Sequence, residues 1–305
     1  MSKGKAGLHK NSRNILLLGA NGQLGTTLKG QLAARGTLRA IGHAELDLRD
    51  LAKLRALILE TNPALIVNAA AYTAVDAAET DAETAQLVNA QAPRIMAETA
   101  RECSALFVHY STDYVFDGTA HTPYSEESPV SPLGVYGASK LAGEQAVAAS
   151  GAAHLILRTA WLYSNRGKNF LNTMLRLAAE RDELRVVNDQ TGCPTYADLV
   201  AEASLKMLDG MYDRGSLRRE RCGLYHVACR GETTWWGFAR RIIELAGFAG
   251  RVRVLPITTA DYPTPAKRPA YSVLSTNKLE RVFGIRLPDW EEGLKRCLTE
   301  RDIPK

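Results

Sequence analysis

From Asn14 onward, short runs of apolar residues alternate with stretches whose apolar residues recur every three or four positions. The runs read NILLLGA, TLRAIG, ALIVNAAA and ALFVHYST, and between them lie Gln23 to Arg35, Leu51 to Glu60 and Ala82 to Glu102. A strand that is apolar at every position has both faces buried, whereas a period near 3.6 marks a helix with one apolar stripe. Strands of the first kind separated by helices of the second predict crossover units, and so a parallel sheet covered by helices on both sides. A helix starting near Val135 and the run HLILRTAW continue the pattern. The first half therefore reads as an α/β, doubly wound parallel sheet of Rossmann type.

Beyond Tyr163 the alternation loosens. Helical periods cover Asn169 to Glu180, Ala197 to Leu208 and Trp235 to Leu245, with short strands LRVVN, LYHVA and VRVLP around them. This predicts a second, smaller α/β substrate domain. The cofactor domain is expected over 14–162 and about 222–246, and the substrate domain over about 163–221 and 247–301. The Pro- and Thr-rich segment ITTADYPTPAKRPAYSVLST lacks a sustained period and reads as a surface or cleft-lining loop.

The net charge of +5 would suggest a polyanion partner, but Lys3, Lys5, Lys10 and Arg13 lie in a leader without acidic residues. Residues 1–13 read as a flexible basic tail, and the body is near neutral, which argues against a nucleic-acid partner. No apolar run reaches the roughly 18 residues of a membrane span. Five cysteines, none in a C-x-x-C pair, point to free thiols in a cytoplasmic protein, with no metal site.

GANGQLG follows the first strand and opens the first helix, spacing Gly19, Gly22 and Gly25 as G-x-x-G-x-x-G. Absent side chains let the turn tighten and let a pyrophosphate approach the N–H groups of the helix start. A tight turn with nothing bound has the same signature. The second strand ends in Gly42 and His43, without the acidic residue that holds the ribose hydroxyls of NAD. NADPH is therefore favoured, with NADH possible. Asp47 and Leu48 either flank an adenine or, for Asp47, cap a helix. The small residues from Asn68 to Ala71 would let a flat ligand lie on the backbone.

In VYGASKLAGEQA, Tyr136 and Lys140 stand four apart and share a helix face. A nearby ammonium favours phenolate and is expected to lower the Tyr136 pKa from about 10. With eleven tyrosines and twelve lysines in the chain, the spacing alone also fits a solvated helix face. HYSTDYVFDG places Ser111 and Thr112 at the end of another strand, where open α/β sheets bind ligands. A hydroxyl, a phenol and an ammonium would then meet at one carbonyl oxygen.

Taken together, these segments resemble the extended short-chain dehydrogenase/reductases. NAAAYTAVDAAE, SPLGVYGASKLAGE, LRTAWLY, NFLNTMLRLAAER, VVNDQTGCPT and YPTPAKRP are similar, more narrowly, to the dTDP-4-dehydrorhamnose reductases. The resemblance implies NAD(P)H-dependent reduction of the 4-keto group of dTDP-4-dehydro-6-deoxy-L-mannose to dTDP-L-rhamnose. Tyr136 would donate the proton, Lys140 would hold the nicotinamide ribose, and Thr112 would bind the reacting oxygen. It further implies cofactor contacts from Gly22, Gln23, Leu24, Asp47, Leu48, Ala71, Tyr72 and Thr73. Thr112, Asp113, Tyr136 and Trp161 would face the sugar, and Arg268 would clamp the substrate diphosphate. Trp161 alone would read as a core aromatic and Arg268 as a surface arginine. Some members of the family dimerise through Mg²⁺ held by a Glu on the first helix; Thr27 stands there in this chain, although Asp198 keeps a second acidic position. A monomer or a homodimer is expected. Another nucleotide-sugar 4-ketoreductase or epimerase would keep the same catalytic residues, and a regulatory subunit like the β subunit of methionine adenosyltransferase would be expected to lose them.

Overall fold

The computed structural model describes residues 14–301, and the basic tail expected at 1–13 lies outside them. The chain runs β1 (Asn14–Leu18), α1 (Gln23–Ala33), β2 (Thr37–Ile41), α2 (Leu51–Thr61), β3 (Leu65–Asn68), α3 (Val75–Ala78) and α4 (Ala82–Gln86). Then follow α5 (Ala92–Glu102), β4 (Leu106–Thr112), α6 (Val135–Ala149), β5 (Ala153–Thr159), β6 (Leu162–Tyr163), α7 (Phe170–Glu180), β7 (Glu183–Val187), β8 (Thr191–Gly192) and β9 (Thr195–Tyr196). The remainder is α8 (Ala197–Gly210), β10 (Tyr212–Asp213), β11 (Ser216–Leu217), β12 (Gly223–His226), β13 (Thr233–Thr234), α9 (Trp235–Leu245), β14 (Arg253–Ile257), α10 (Asn277–Phe283) and α11 (Trp290–Thr299).

Six strands form one sheet in the order β12-β5-β4-β3-β1-β2, and every pair in it is parallel. Alternate residues of its central strands feed two separate cores. Ile15, Leu17, Leu65, Val67, Leu106 and Val108 face α1 and α8 on one side. Leu16, Leu18, Ile66 and Phe107 face α2 and α5 on the other. That period of two, with apolar residues on both sides, is why the strands read as uninterrupted hydrophobic runs. The order reverses between β1 and β3, so their C-terminal ends open a crevice at the switch point, where ligands of such sheets bind.

A single helix was expected over Ala82 to Glu102. Instead α4 and α5 are joined by a π-helical turn, Leu87–Gln91. Pro93, in the first turn of α5, has no N–H to give, so the regular α ladder cannot run through it. The widened turn sends the side chain of Asn89 inward. The segment after β14 has no long element, as expected, but it is pinned rather than loose. Thr191 N–H donates to the Ala270 carbonyl and Ser272 N–H to the Thr191 carbonyl, both at 2.8 Å, and Ser275 N–H to the Tyr124 carbonyl at 2.7 Å. Helices α10 and α11 had not been read from the sequence.

Strand β12 closes the large sheet on one edge. Helix α9 packs on α7 and on the parallel pair β7–β14. Among the described residues, no helix is long and apolar enough to cross a membrane.

Candidate active site

The crevice at the switch point is a cavity of about 1100 Å³. Its floor is the glycine turn after β1. Gly19 adopts φ +77°, and a Cβ on it would lie 2.5 Å from Ala70 N. Gly22 caps α1 with no side-chain hydrogen bond, which leaves the first-turn N–H groups of an eleven-residue helix directed at the cavity. This cradle fits a pyrophosphate. Gly25 is not among the lining residues; a Cβ there would come 2.0 Å from the Gly19 carbonyl oxygen, so its part is the close packing of helix on turn.

Gly22, Gln23, Leu24, Asp47, Leu48, Ala71, Tyr72 and Thr73 all line the cavity. Gln23 is held by Ser164 and Asn169, both donating to its Oε1, at 3.1 and 2.9 Å. Asp47 does not cap α2, a role taken by Asp50. It pairs with Arg49 at 2.5 Å, and that guanidinium holds its carboxyl down at about 2. At the end of β2 the sequence offered no acid, but the chain folds Glu45 back so that its Oε2 accepts from the Gly42 N–H at 2.7 Å. This carboxylate caps the turn and is not part of the cavity lining.

Asn89 fixes the other wall. Its side chain accepts from the Tyr72 N–H at 2.9 Å and donates to the Tyr72 carbonyl at 3.0 Å, and it also donates to Ser139 Oγ at 3.0 Å. One buried amide thus ties the loop after β3 to the helix that carries Tyr136 and Lys140. Sequence reasoning missed Asn89, because its signal is only a proline four residues later.

Thr112, Asp113, Tyr136 and Lys140 meet on the cavity wall at the C-terminal end of β4. Thr112 Oγ donates to Asp113 Oδ1 at 3.0 Å, the Tyr136 phenol lies against the same hydroxyl, and Tyr114 packs edge-on against Tyr136 with ring centroids 5.4 Å apart. Lys140 Nζ donates to the Tyr110 carbonyl at 2.6 Å. Burial brings its pKa down to about 8, against the raising influence of Glu144 one turn along. The expectation that Lys140 depresses the Tyr136 pKa is corrected. Burial pushes Tyr136 up to about 12, and the Thr112 hydrogen bond opposes that shift. Spacing put the two residues on one face, but the ammonium is directed at the strand. Asp113 is pushed up to about 6 by burial, against the nearby Ser272 hydroxyl and the hydrogen bond from Thr112.

Trp161 lines the cavity in a left-handed conformation, φ +45°. Its indole stacks on Trp235 at 3.5 Å between ring centroids and 1° between planes. Trp235, not foreseen from the sequence, lines the cavity too, as does the exposed Lys168. Arg268 is not brought into the lining. Its Nη2 reaches both oxygens of Asp76 at 2.8 Å, while Nη1 is buried without a partner. At the position of the Mg²⁺-binding Glu, Thr27 Oγ donates to Asp198 at 2.7 Å. Among the described residues no group of three His, Cys, Asp or Glu within the one chain could hold a metal ion. All five cysteines are free.

The sequence matches the model of the RmlD substrate binding domain over residues 13–303. A dTDP-4-dehydrorhamnose reductase of Burkholderia thailandensis is 45% identical over 292 residues, covering 94% of this chain and 98% of the relative. One of Salmonella typhimurium is also 45% identical, over 94% of this chain and 97% of the relative. Among solved structures, the dTDP-4-dehydrorhamnose reductase of Bacillus anthracis in complex with NADP superposes with a TM-score of 0.88 at 36% identity, over 95% of this chain and 99% of that one. The fold, the crevice and this sequence likeness agree along nearly the whole length, and the chain belongs to the RmlD family.

Proposed function

We propose that this protein is an NAD(P)H-dependent oxidoreductase that reduces the 4-keto group of dTDP-4-dehydro-6-deoxy-L-mannose to give dTDP-L-rhamnose. The observation that carries the reading is the meeting of Thr112, Tyr136 and Lys140 on one wall of a cavity whose floor is a glycine-built phosphate cradle. Relatives that share 45% of their residues with this chain bear the name of that activity.

NADPH is the favoured cofactor, with NADH admitted. When bound it supplies the hydride for sugar C4. The turn from Gly19 to Leu24 would hold its pyrophosphate, Asp47 and Leu48 its adenosine, and Ala71 to Thr73 its nicotinamide half. Tyr136, with a pKa near 12, keeps its proton at neutral pH and is a donor rather than a base in the ground state. Thr112 offers a hydroxyl to the same oxygen. Lys140, a cation below about pH 8 that is directed at the Tyr110 carbonyl, would hold the nicotinamide ribose. Asp113 and Trp161 would contact the sugar. Arg268 enters the reading only through its free Nη1, beside the Asp76 pair.

The division into a cofactor part, 14–162 and about 222–246, and a substrate part, about 163–221 and 247–301, belongs to this reading. A monomer or a homodimer would serve, with no nucleic-acid, membrane or metal partner. Free thiols throughout suit the cytoplasm.

The test supplies the 4-keto sugar nucleotide enzymatically and follows absorbance of the reduced nicotinamide. One equivalent of cofactor should be oxidised per sugar. Product without net oxidation would mean epimerisation instead, and no turnover with any sugar nucleotide would refute the reading. Tyr136→Phe is expected to lose about 10²–10⁴-fold in kcat while keeping cofactor affinity, and full retained activity would refute its role as the acid.

A further inference from the structure

Thr112 stands among three groups that compete for its hydrogen and its lone pairs. Its hydroxyl donates to Asp113 Oδ1 at 3.0 Å and accepts from the Tyr114 N–H at 3.2 Å, with the Tyr136 phenol alongside. A hydroxyl has one proton and two lone pairs. When Asp113 is ionised, the proton is committed to the carboxylate and one lone pair to Tyr114. The other lone pair stays open, and no Thr112 hydrogen is left for an oxygen in the cavity. When Asp113 is neutral, its own O–H fills that lone pair. The Thr112 hydrogen is then free to turn to an oxygen in the cavity, beside the Tyr136 phenol.

We propose that Asp113 is a positioning residue whose neutral form frees the Thr112 hydroxyl hydrogen to hold the reacting oxygen in front of the Tyr136 proton. The inference rests on the reduction proposed above. Asp113 is 2% exposed and lines the cavity, and its Oδ2 has no hydrogen-bond partner. Ser272, whose Oγ is also unpartnered, faces the same carboxyl from the loop pinned to Thr191. The titratable and charged groups around it give no cation to hold the charged form. Tyr114 and, from α6, Tyr136 are neutral phenols raised by burial. Lys140 on the same helix is directed at the Tyr110 carbonyl, and Arg268 from the loop is held by Asp76 of α3. Burial accordingly keeps the proton on Asp113 up to about pH 6. The proton balance closes simply: Tyr136 gives one proton to the alkoxide and regains one from solvent, and Asp113 ends as it began.

Single-turnover reduction is to be measured from pH 5.5 to 7.5 for the wild type and for Asp113→Asn, below the titration of Lys140. The wild-type rate should fall roughly tenfold or more across the window as the carboxyl ionises. The Asp113→Asn profile should be flat whatever its absolute rate, because an amide does not titrate. Infrared difference spectra should show a protonated carboxyl band at pH 5.5 that is lost by 7.5, and no such band in the variant. A flat wild-type profile, the wild-type slope persisting in the variant, or the absence of that band would each overturn the proposal. If Asp113→Asn does not fold, Thr112→Val carries the test, since with no hydroxyl to turn its residual rate should be flat, and a retained slope overturns the proposal. Failure of the wild type to reduce the sugar at any pH would instead refute the proposed activity.

Discussion

Gly192 sits under the Trp161 indole with no room for a side chain: a Cβ there would come 2.3 Å from Cε2. The ring is sandwiched between that backbone and the Trp235 indole, and it is carried on a left-handed residue. Gly192→Ala must therefore displace the ring or tilt the stack, and it is expected to raise KM for the sugar nucleotide by about tenfold, a cost of roughly 1–2 kcal/mol typical of overpacking. Steady-state kinetics check this, with the Kd for the cofactor alone expected to hold. Trp161 was expected at the sugar through the family resemblance, and by itself would read as a core aromatic after a strand, whereas Trp235 was visible only as an apolar residue at a helix start. That Tyr136, Lys140 and Thr112 line one cavity was legible because helix spacing and strand ends fix where their side chains stand. The protonation of Tyr136 was not, since spacing reports which face a side chain occupies and says nothing of how dry that face is.

Helix α6 is anchored to β5 by a buried ion pair. Arg158 Nε and Nη2 reach the two oxygens of Glu144 at 2.8 and 2.6 Å, and both side chains are almost wholly buried. Removing one partner leaves the other charged without compensation, at a cost of about 3–5 kcal/mol. Arg158→Met should lower the urea midpoint strongly, and Arg158→Met with Glu144→Met should recover much of the loss; equal destabilisation by the single and double variants would contradict this account. Helices of regular period were legible to within a few residues, as with Trp235–Leu245. The π-helical turn was not, because Pro93 announces a break without saying how the chain repairs it. Helices α10 and α11 were missed because both are short and follow a stretch rich in proline.

At the scale of the molecule, two histidines among the described residues are buried in neutral form. Burial holds His109 well below its usual range and, with Arg158 nearby, holds His226 at about 3. An unfolded histidine takes up its proton near pH 6.5, so the folded state binds fewer protons below that point. Their contribution is complete above pH 6.5 and is lost as pH falls toward 3. Asp113, raised to about 6, has the opposite slope between about pH 4 and 6. Tm should therefore fall on acidification from pH 6.5. His226→Asn, which keeps a donor for the Ser275 carbonyl, should flatten that fall, and an unchanged slope would show that His226 already titrates in the folded state.

The large parallel sheet was legible as a whole because strands buried on both faces write their period directly into the chain. The smaller strand pairs were only partly so, since two-residue strands such as β8 and β13 carry no period at all. What most directly decides the account is where hydride goes. With cofactor deuterated at the transferable position of its nicotinamide, the product sugar should carry one deuterium at C4 for each cofactor oxidised, as read by NMR. Deuterium at another carbon, or product formed with no label and no oxidised cofactor, would contradict it.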